Sequence, residues 1–253
     1  MQISFNPSFL VAFLFATIRC GAWLAIAPPF QGAVPARIRA GLSVALGLCV
    51  APRLEGAATM PTTDTFALVT GAFYQAVIGI ALGFLVYVLF QAVLAAGSMI
   101  DSFAALTSAQ LFDPLSKTTT GPIGRFYQLL GTAILFVTNG HLLLVGGLVR
   151  TFSAAPLKGL RIDRMGVLLT RDVTQFMLAA IQIAAPILGA LFLTEILLGL
   201  ASRAAPKLNI LVLGLGVKSL VLLMLGGVAL PLIPFVLHGL IGDAMSMMRS
   251  LVS

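Results

Sequence analysis

Charged residues are scarce in this chain. Only 9% of its 253 residues are Asp, Glu, Lys or Arg, whereas 59% are hydrophobic and the mean hydropathy is +1.08. A soluble domain carries about a quarter charged residues. The composition excludes an ordinary soluble protein and indicates an integral membrane protein or a subunit of an apolar assembly.

Cysteine and histidine are also rare. Cys20 and Cys49 both lie inside apolar runs, and the two histidines, His141 and His238, fall in different apolar blocks. Cysteines in such surroundings are typical of small buried hydrophobes rather than of a disulfide or a metal site. We expect neither a metal nor another cofactor.

The common signatures of catalysis are missing from the sequence. It has no His-Glu-x-x-His, no Gly-x-Ser-x-Gly and no phosphate-binding Gly-x-x-x-x-Gly-Lys. A catalytic group would have to be assembled from Asp101, Asp113, Glu195 and the two histidines, which no local pattern links. The sequence therefore predicts a protein that is not an enzyme.

The chain is basic, with 15 Lys and Arg against eight Asp and Glu, a formal charge of +7. These basic residues lie singly or in pairs at the edges of apolar blocks, as the anchors of membrane segments do. Because no basic stripe with interleaved aromatic residues is present, we expect no nucleic-acid binding.

The apolar blocks predict an all-α membrane-type protein. Phe9 to Ala27 is long enough to cross a hydrocarbon core of about 30 Å, whereas Gly41 to Ala51 is marginal and fits a half-helix or a segment buried in protein. As one helix, Thr65 to Ile100 would be about 54 Å long, which exceeds that core. It is either a helical hairpin around Gly79 to Gly83 or one long helix. The Gly79-x-x-x-Gly83 spacing permits close approach of another helix.

The second half of the chain is predicted to contain two pairs of helices. Asn139-Gly-His141 forms a polar turn that divides Phe126 to Val149 into two shorter helices. Arg150 to Asp172 is predicted to be an exposed, charged connector. Beyond it, Val173 to Ser202 and Leu208 to Gly242 form an antiparallel hairpin. Its first arm is predicted to be kinked by Pro186 and its second by Pro231 and Pro234.

Three charged residues within or beside apolar blocks are candidate functional residues, because charge inside a membrane is costly. Arg19 lies near the middle of the first block and forms either a structural ion pair within an assembly or a transport-coupling site. Glu195 and Lys218 flank the turn of the hairpin at comparable distances. They form either a salt bridge or an ion site of the kind found in secondary transporters.

The positive-inside rule gives contradictory orientations. If Thr65 to Ile100 crosses once, the basic connector falls on the side opposite Arg37 and Arg39; if it crosses twice, Arg203 and Lys207 fall on the wrong side. We interpret this conflict as a sign that some apolar blocks are buried against other subunits rather than in lipid.

The stretch from Asp101 to Arg125 lies between the clearest apolar blocks and differs from both. It keeps large apolar side chains, yet Asp113-Pro114 and Gly121-Pro122 disfavour continuous helix. Irregular backbone at membrane depth is tolerated only where protein or a pore surrounds it. The sequence therefore predicts irregular backbone at or near membrane depth, surrounded either by protein or by a pore.

An ordered set of short strings gives the chain a family resemblance. The strings are Ala27-Pro-Pro-Phe30, Val34-Pro-Ala-Arg-Ile-Arg-Ala-Gly41, Gly79-Ile-Ala-Leu-Gly83, Asp113-Pro114, Asn139-Gly-His141 and Ala205-Pro-Lys-Leu-Asn209-Ile210. Together they resemble the FliR family of bacterial type III flagellar export, and more loosely its counterparts in virulence injectisomes.

The resemblance implies a single export-gate domain built in two parts. Residues 1–172 would be similar to FliP, and residues 173–253 to FliQ, as a helical hairpin. The chain would assemble with FliP and FliQ in the bacterial inner membrane at the flagellar basal body, beside FlhA and FlhB, and unfolded flagellar proteins would pass through the resulting channel.

The resemblance also implies a pore plug at residues 108–121. By position, its residues are Ser108, Leu111, Phe112, Asp113 and Pro114. Relatives often carry phenylalanine where this chain has Ser108 and Leu111, so Phe112 alone would supply an aromatic seal. A subunit of an injectisome and, as a different class, a transporter of small solutes or ions are the alternative functions.

Overall fold

The computed structural model describes residues 7–31, 34–54, 65–106, 121–154, 162–205 and 209–252, and every regular element in these ranges is an α-helix, as predicted. The helices are α1 (Pro7–Ile26), α2 (Pro28–Gln31), α3 (Ala36–Leu54), α4 (Thr65–Phe103), α5 (Pro122–Val137), α6 (Gly140–Ala154), α7 (Ile162–Ala204), α8 (Ile210–Ala229) and α9 (Leu232–Val252).

Several of these helices are suited to a membrane. Three segments, Pro7–Ile26, Thr65–Phe103 and Thr170–Ala204, are long and apolar enough to cross one, and the number rises to five if the broken pairs α5–α6 and α8–α9 each count as one span. The fold is that of an all-α membrane subunit.

The chain divides into two compact units that are interleaved along the sequence. The first unit comprises Met1–Leu89, Asn139–Val173 and Ile241–Ser253, and the second comprises Phe90–Thr138 and Thr174–Leu240. The predicted division into residues 1–172, similar to FliP, and residues 173–253, similar to FliQ, has different boundaries and stays a prediction.

In the first unit, α1 is the central helix. Trp23 and Leu24 are fully buried, and the ring of Trp23 lies 5.7 Å from that of Phe30. A Cβ atom on Gly79 would collide with the backbone oxygen of Arg19. A Cβ atom on Gly83 would lie 3.1 Å from the backbone oxygen of Trp23. The predicted close helix approach at these glycines is confirmed, and α1 is the helix that approaches.

The same glycines lie within one continuous helix. Because α4 runs without a break for 39 residues, the hairpin alternative for this block is wrong and the long-helix alternative is confirmed. A glycine spacing of four leaves a groove on one side of a helix without interrupting its hydrogen bonds, so a helix can both continue and receive a neighbour.

Two sequence-based boundaries are corrected. The short block predicted at Gly41 to Ala51 is part of the 19-residue helix α3, which begins at Ala36 and packs along α1. The connector predicted at Arg150 to Asp172 is helical up to Ala154 and again from Ile162 onward, and Asp172 is buried rather than exposed. Arg is a good helix former, so charge alone did not mark a loop there.

The predicted breaks in the apolar blocks are confirmed. Asn139 has a positive φ of 57°, a conformation in which asparagine is enriched, and it separates α5 from α6. α8 ends at Ala229 and α9 begins at Leu232, next to Pro231.

In the hairpin, a Cβ atom on Gly214 would lie 3.4 Å from Leu198, so α7 and α8 are in contact.

The second unit has a small core and a large apolar surface. Ile100, Leu135, Ile183 and Ile187 are at most 1% exposed, but many large hydrophobic side chains are open. Those more than half exposed include Leu178, Phe192, Leu193, Leu197, Leu200, Leu220, Leu223, Met224 and Phe235. A soluble monomer rarely exposes so much apolar surface, so this unit is built to contact lipid or other subunits.

Candidate functional site

The predicted plug residues Ser108, Leu111, Phe112, Asp113 and Pro114 lie outside the described residues, which end at Leu106 and resume at Gly121. The structure does describe both ends of this segment. They belong to the second unit, where both are hydrogen-bonded to one residue, Asp101, the first end through its backbone and the second through its side chain.

The C-terminus of α4 is closed by two backbone hydrogen bonds. The Leu106 N–H donates to the carbonyl oxygen of Asp101 (3.0 Å). The Ala105 N–H donates to the carbonyl oxygen of Ser102 (3.2 Å). Ala105 has φ 60°. This is the Schellman pattern of helix termination, in which a residue in the left-handed conformation turns the chain away from the helix.

The N-terminus of α5 is held by the carboxylate of the same Asp101. Its Oδ1 accepts the N–H of Ile123 (3.0 Å), and its Oδ2 accepts the N–H of Gly124 (2.8 Å). Gly121, the residue before the helix, has no side-chain cap of its own, and Pro122 occupies the first helical position. A carboxylate is well suited here, because it satisfies two N–H groups that have no intrahelical partner and lies at the positive end of the helix dipole.

Three glycines allow this arrangement. A Cβ atom on Gly97 would lie 2.5 Å from the Cα of Gly124, and one on Gly121 would collide with the carboxylate of Asp101. The backbones of α4 and α5 are therefore nearly in contact. Asp101, Gly121 and Gly124 are all buried, so water has little access to these hydrogen bonds.

The structure brings Glu195 and Lys218 together, as their positions around the hairpin turn suggested. The Lys218 ammonium forms an ion pair with the Glu195 carboxylate, in which the side chain of Lys218 is 14% exposed and that of Glu195 is 63% exposed. The lysine is thus shielded from solvent. The carboxylate lies at the surface, where another chain can reach it.

A cavity of about 290 Å³ connects this pair to the end of α4. Its lining includes Glu195 and Ser202 from α7, Gly214 and Lys218 from α8, and Ala105. Ala105 is the left-handed residue of the helix terminus. The ion pair and the turn that ends α4 therefore line the same space.

Arg19, the third predicted charge, lies in the first unit and is fully buried. Its Nε donates to Oε1 of Gln75 (2.7 Å), its Nη1 donates to Oγ1 of Thr151 (3.5 Å), and its guanidinium lies 4.2 Å from the ring centre of Phe152. These contacts link α1, α4 and α6. The geometry is that of a residue that joins three helices.

No group of three or more His, Cys, Asp or Glu side chains within the described ranges could hold a metal ion. The contacts of Asp101, Glu195 and Lys218 described above are hydrogen bonds and an ion pair. The arrangement can position backbone segments and bind neighbouring chains.

Sequence reasoning missed the role of Asp101, which it noted only as the start of the interrupted segment and as one acidic residue that no local pattern links to a catalytic group. One signal was available. Gly121-Pro122 is typical of a helix that begins at proline, and such a helix needs an acceptor for its first N–H groups. The sequence did not say which residue, 20 or more positions away, supplies it.

The family model described as bacterial export proteins, family 1, matches residues 10–244 of the chain. The match covers all of the second unit and most of the first. It also includes Arg19, Asp101, Glu195 and Lys218.

Three relatives illustrate the range of the similarity. The flagellar biosynthetic protein FliR of Escherichia coli K12 is 32% identical over 249 residues, which cover 97% of this chain and 94% of that protein. FliR of Bacillus subtilis is 27% identical, covering 96% and 95%. The Yop proteins translocation protein T of Yersinia pestis is 29% identical over 185 residues, covering 72% and 70%. By its sequence and its helices, this chain belongs to family 1 of the bacterial export proteins.

Proposed function

We propose that this chain is a subunit of the flagellar type III protein export gate. The observation that carries the proposal is similarity to flagellar FliR proteins over nearly the whole chain, 97% of it in the first comparison. The helical fold, with segments that could cross a membrane and a large exposed apolar surface, is the fold that such a subunit needs.

The partners we propose are FliP and FliQ, which would form the channel with this chain in the inner membrane at the basal body, next to FlhA and FlhB. The exposed apolar side chains of the second unit support this arrangement, since neighbouring helical subunits would cover them. Glu195 supports it too, because a carboxylate that is 63% exposed can accept a hydrogen bond from a basic side chain of a neighbour. In this proposal unfolded flagellar proteins are the substrate and the chain performs no catalysis.

Residues 108–121 form the plug in our proposal. Large apolar side chains such as Leu111 and Phe112 close a narrow pore because water leaves an apolar constriction, and ions do not pass without water. The structure supports the placement indirectly. Leu106 and Gly124, which lie on either side of this segment, are both hydrogen-bonded to Asp101.

A test of the export function is deletion of the gene in its host, followed by measurement of swimming and of secreted hook and filament proteins. We expect both to be lost, and restored by the intact gene. The second candidate function, an injectisome subunit, is favoured by the 29% identity to the Yersinia protein. Loss of effector secretion with normal swimming would decide for that function.

A test of the plug uses the chain assembled with FliP and FliQ in liposomes that contain a small dye. Replacing Leu111 and Phe112 together with glycine should increase dye release several-fold. A matched control replaces Val69 and Phe73, two exposed residues of α4 in the first unit, with glycine. An unchanged leak in an assembled complex would contradict the plug.

A further inference from the structure

Exposed hydrophobic side chains form a stripe along the first half of α4, in the first unit. The members of this stripe, which we call the α4 stripe, are 41% to 79% exposed: Phe66, Val69, Phe73, Ile80 and Phe84. With about 3.6 residues per turn, they fall within about 60° of the helix circumference and extend over about 27 Å of its length.

A different side of α4 packs against α1. A Cβ atom on Gly71 would collide with the ring of Phe15, and a Cβ atom on Gly83 would lie against the backbone of Trp23. These contacts place the two helices side by side and in the same direction. The α4 stripe is therefore left uncovered by the central helix of its own unit.

The length and polarity of the α4 stripe fit the interior of a bilayer. Its length of about 27 Å is close to the hydrocarbon thickness of about 30 Å, and no charged residue occurs between Phe66 and Phe84. Thr70, an exposed polar residue in this stretch, donates its hydroxyl to the carbonyl oxygen of Phe66 (2.8 Å). A hydroxyl that is bonded within its own helix needs no water, so the whole stripe can lie in hydrocarbon.

A basic residue marks the level at which the α4 stripe ends. Nη1 of Arg39 donates to the carbonyl oxygen of Ala25 (3.4 Å), which is two residues after Trp23 on α1. Since Trp23 lies against Gly83, the guanidinium of Arg39 is near the level of Phe84. Basic residues at the end of an apolar segment are typical of the membrane surface.

Arg19 is the charged residue of α1 that lies at the level of the stripe, next to Gly79. It is fully buried and donates to Gln75 and Thr151 inside the unit. A charged side chain at membrane depth faces the protein interior in this way. The inner side of the unit therefore contains the charge, and the outer side of α4 is apolar.

We infer that the α4 stripe contacts the acyl chains of membrane lipids, and that the boundary between hydrocarbon and headgroups passes the first unit near Phe84 and Arg39. A surface that contacts another subunit has no reason to match the thickness of a bilayer or to end at a basic residue. The inference goes beyond the proposed function, because it assigns a lipid-contacting surface whichever export system uses the chain.

The test measures the surroundings of nitroxide spin labels by electron paramagnetic resonance. Labels are attached to Phe73→Cys, near the middle of the α4 stripe, and to Ile38→Cys, a control that is 60% exposed and lies next to Arg39. Both variants carry Cys49→Ser, because Cys49 is exposed, whereas Cys20 is buried. The Cys49→Ser chain without an added cysteine is the blank.

The labelled chains are studied in complexes with cysteine-free FliP and FliQ, in vesicles of phosphatidylethanolamine and phosphatidylglycerol. Collisions with oxygen, which concentrates in hydrocarbon, are compared with collisions with a water-soluble nickel chelate. We expect the oxygen-to-nickel ratio to be several-fold higher for Phe73→Cys than for Ile38→Cys, with an intermediate value for Phe84→Cys.

Two other results would overturn the inference. Few collisions of the Phe73→Cys label with either reagent would show that a neighbouring subunit covers the stripe. Frequent collisions of this label with the nickel chelate would show that the stripe faces water. In both cases a complex that forms and exports leaves the proposed function intact.

Failure of the unmodified chain to copurify with FliP and FliQ would contradict the proposed partners and not the lipid contact. The same labels are then measured in vesicles that contain this chain alone. A ratio for Phe73→Cys that is no higher than that for Ile38→Cys would overturn the inference there too.

Discussion

The carboxylate of Asp101 lies 2.8 Å from the backbone nitrogen of Gly124, a residue 23 positions away in the sequence. One residue thereby ends α4 through its carbonyl group and begins α5 through its side chain. Helix ends usually take their capping groups from nearby residues. A cap supplied from another helix ties the two helices together, so the fold at this point depends on tertiary contact.

Substitution Gly97→Ala tests the close contact beneath this cap. The new methyl group would lie 2.5 Å from the Cα of Gly124, and backbone cannot move aside as a flexible side chain can. Overpacking of this kind costs about 1–3 kcal/mol. We expect a lower thermal unfolding temperature of the purified complex in detergent.

The matched control for that experiment is Gly189→Ala on α7, in the same unit, where a Cβ atom would have no neighbour within 4 Å. Because alanine is better than glycine in a helix by about 0.5–1 kcal/mol, this control should be neutral or slightly stabilising. Equal effects of the two substitutions would show that the contact is not tight.

Substitution Ala105→Gly should stabilise the chain. Alanine at φ 60° has a steric cost of about 1–2 kcal/mol, which glycine avoids because it has no Cβ atom. We expect a gain of up to about 1 kcal/mol, since glycine also gives the unfolded chain more freedom. Denaturant unfolding of the complex would measure this gain in stability. The control is Ala133→Gly inside α5, which should lose stability. A loss of stability for Ala105→Gly would contradict the prediction.

The predictable parts of this fold are those set by local spacing. The close approach at Gly79 and Gly83 follows from residues four apart on one helix, and the meeting of Glu195 with Lys218 follows from their similar distances from one turn. The break at Asn139 follows from local backbone preference. Each of these inferences needed only a short stretch of sequence.

The missed parts depend on contacts between distant residues. The bonds of Asp101 span 22 and 23 positions, and Arg19 finds Gln75 and Thr151 at separations of 56 and 132. No periodicity encodes such partners. The helix terminus at Ala105 was missed for a different reason, because glycine or asparagine is the usual signal for that position and alanine is not.

Substitution Arg19→Lys tests the junction of α1, α4 and α6. Lysine keeps the charge, but it lacks the planar group that lies over Phe152 and the Nε–H that donates to Gln75. Loss of a buried hydrogen bond of a charged group costs about 1–3 kcal/mol. We expect that much destabilisation in denaturant unfolding.

The control for Arg19 is Arg125→Lys, an exposed arginine on α5, which should change stability by less than about 0.5 kcal/mol. A similarly small effect at Arg19 would mean that Gln75 and Phe152 do not depend on the guanidinium. A large effect at both positions would indicate that arginine matters in general for this complex.

A double-mutant cycle of Glu195→Gln and Lys218→Met measures the strength of the ion pair in the hairpin. Because Glu195 is 63% exposed, solvent screening should limit the coupling free energy in the detergent-solubilised isolated chain to about 0.2–1 kcal/mol. In the complex that we propose with FliP and FliQ, a covering neighbour would exclude water and the coupling should rise above that range. Equal coupling in the two samples would contradict the placement of Glu195 at a subunit contact, whereas a larger value only in the complex would support it.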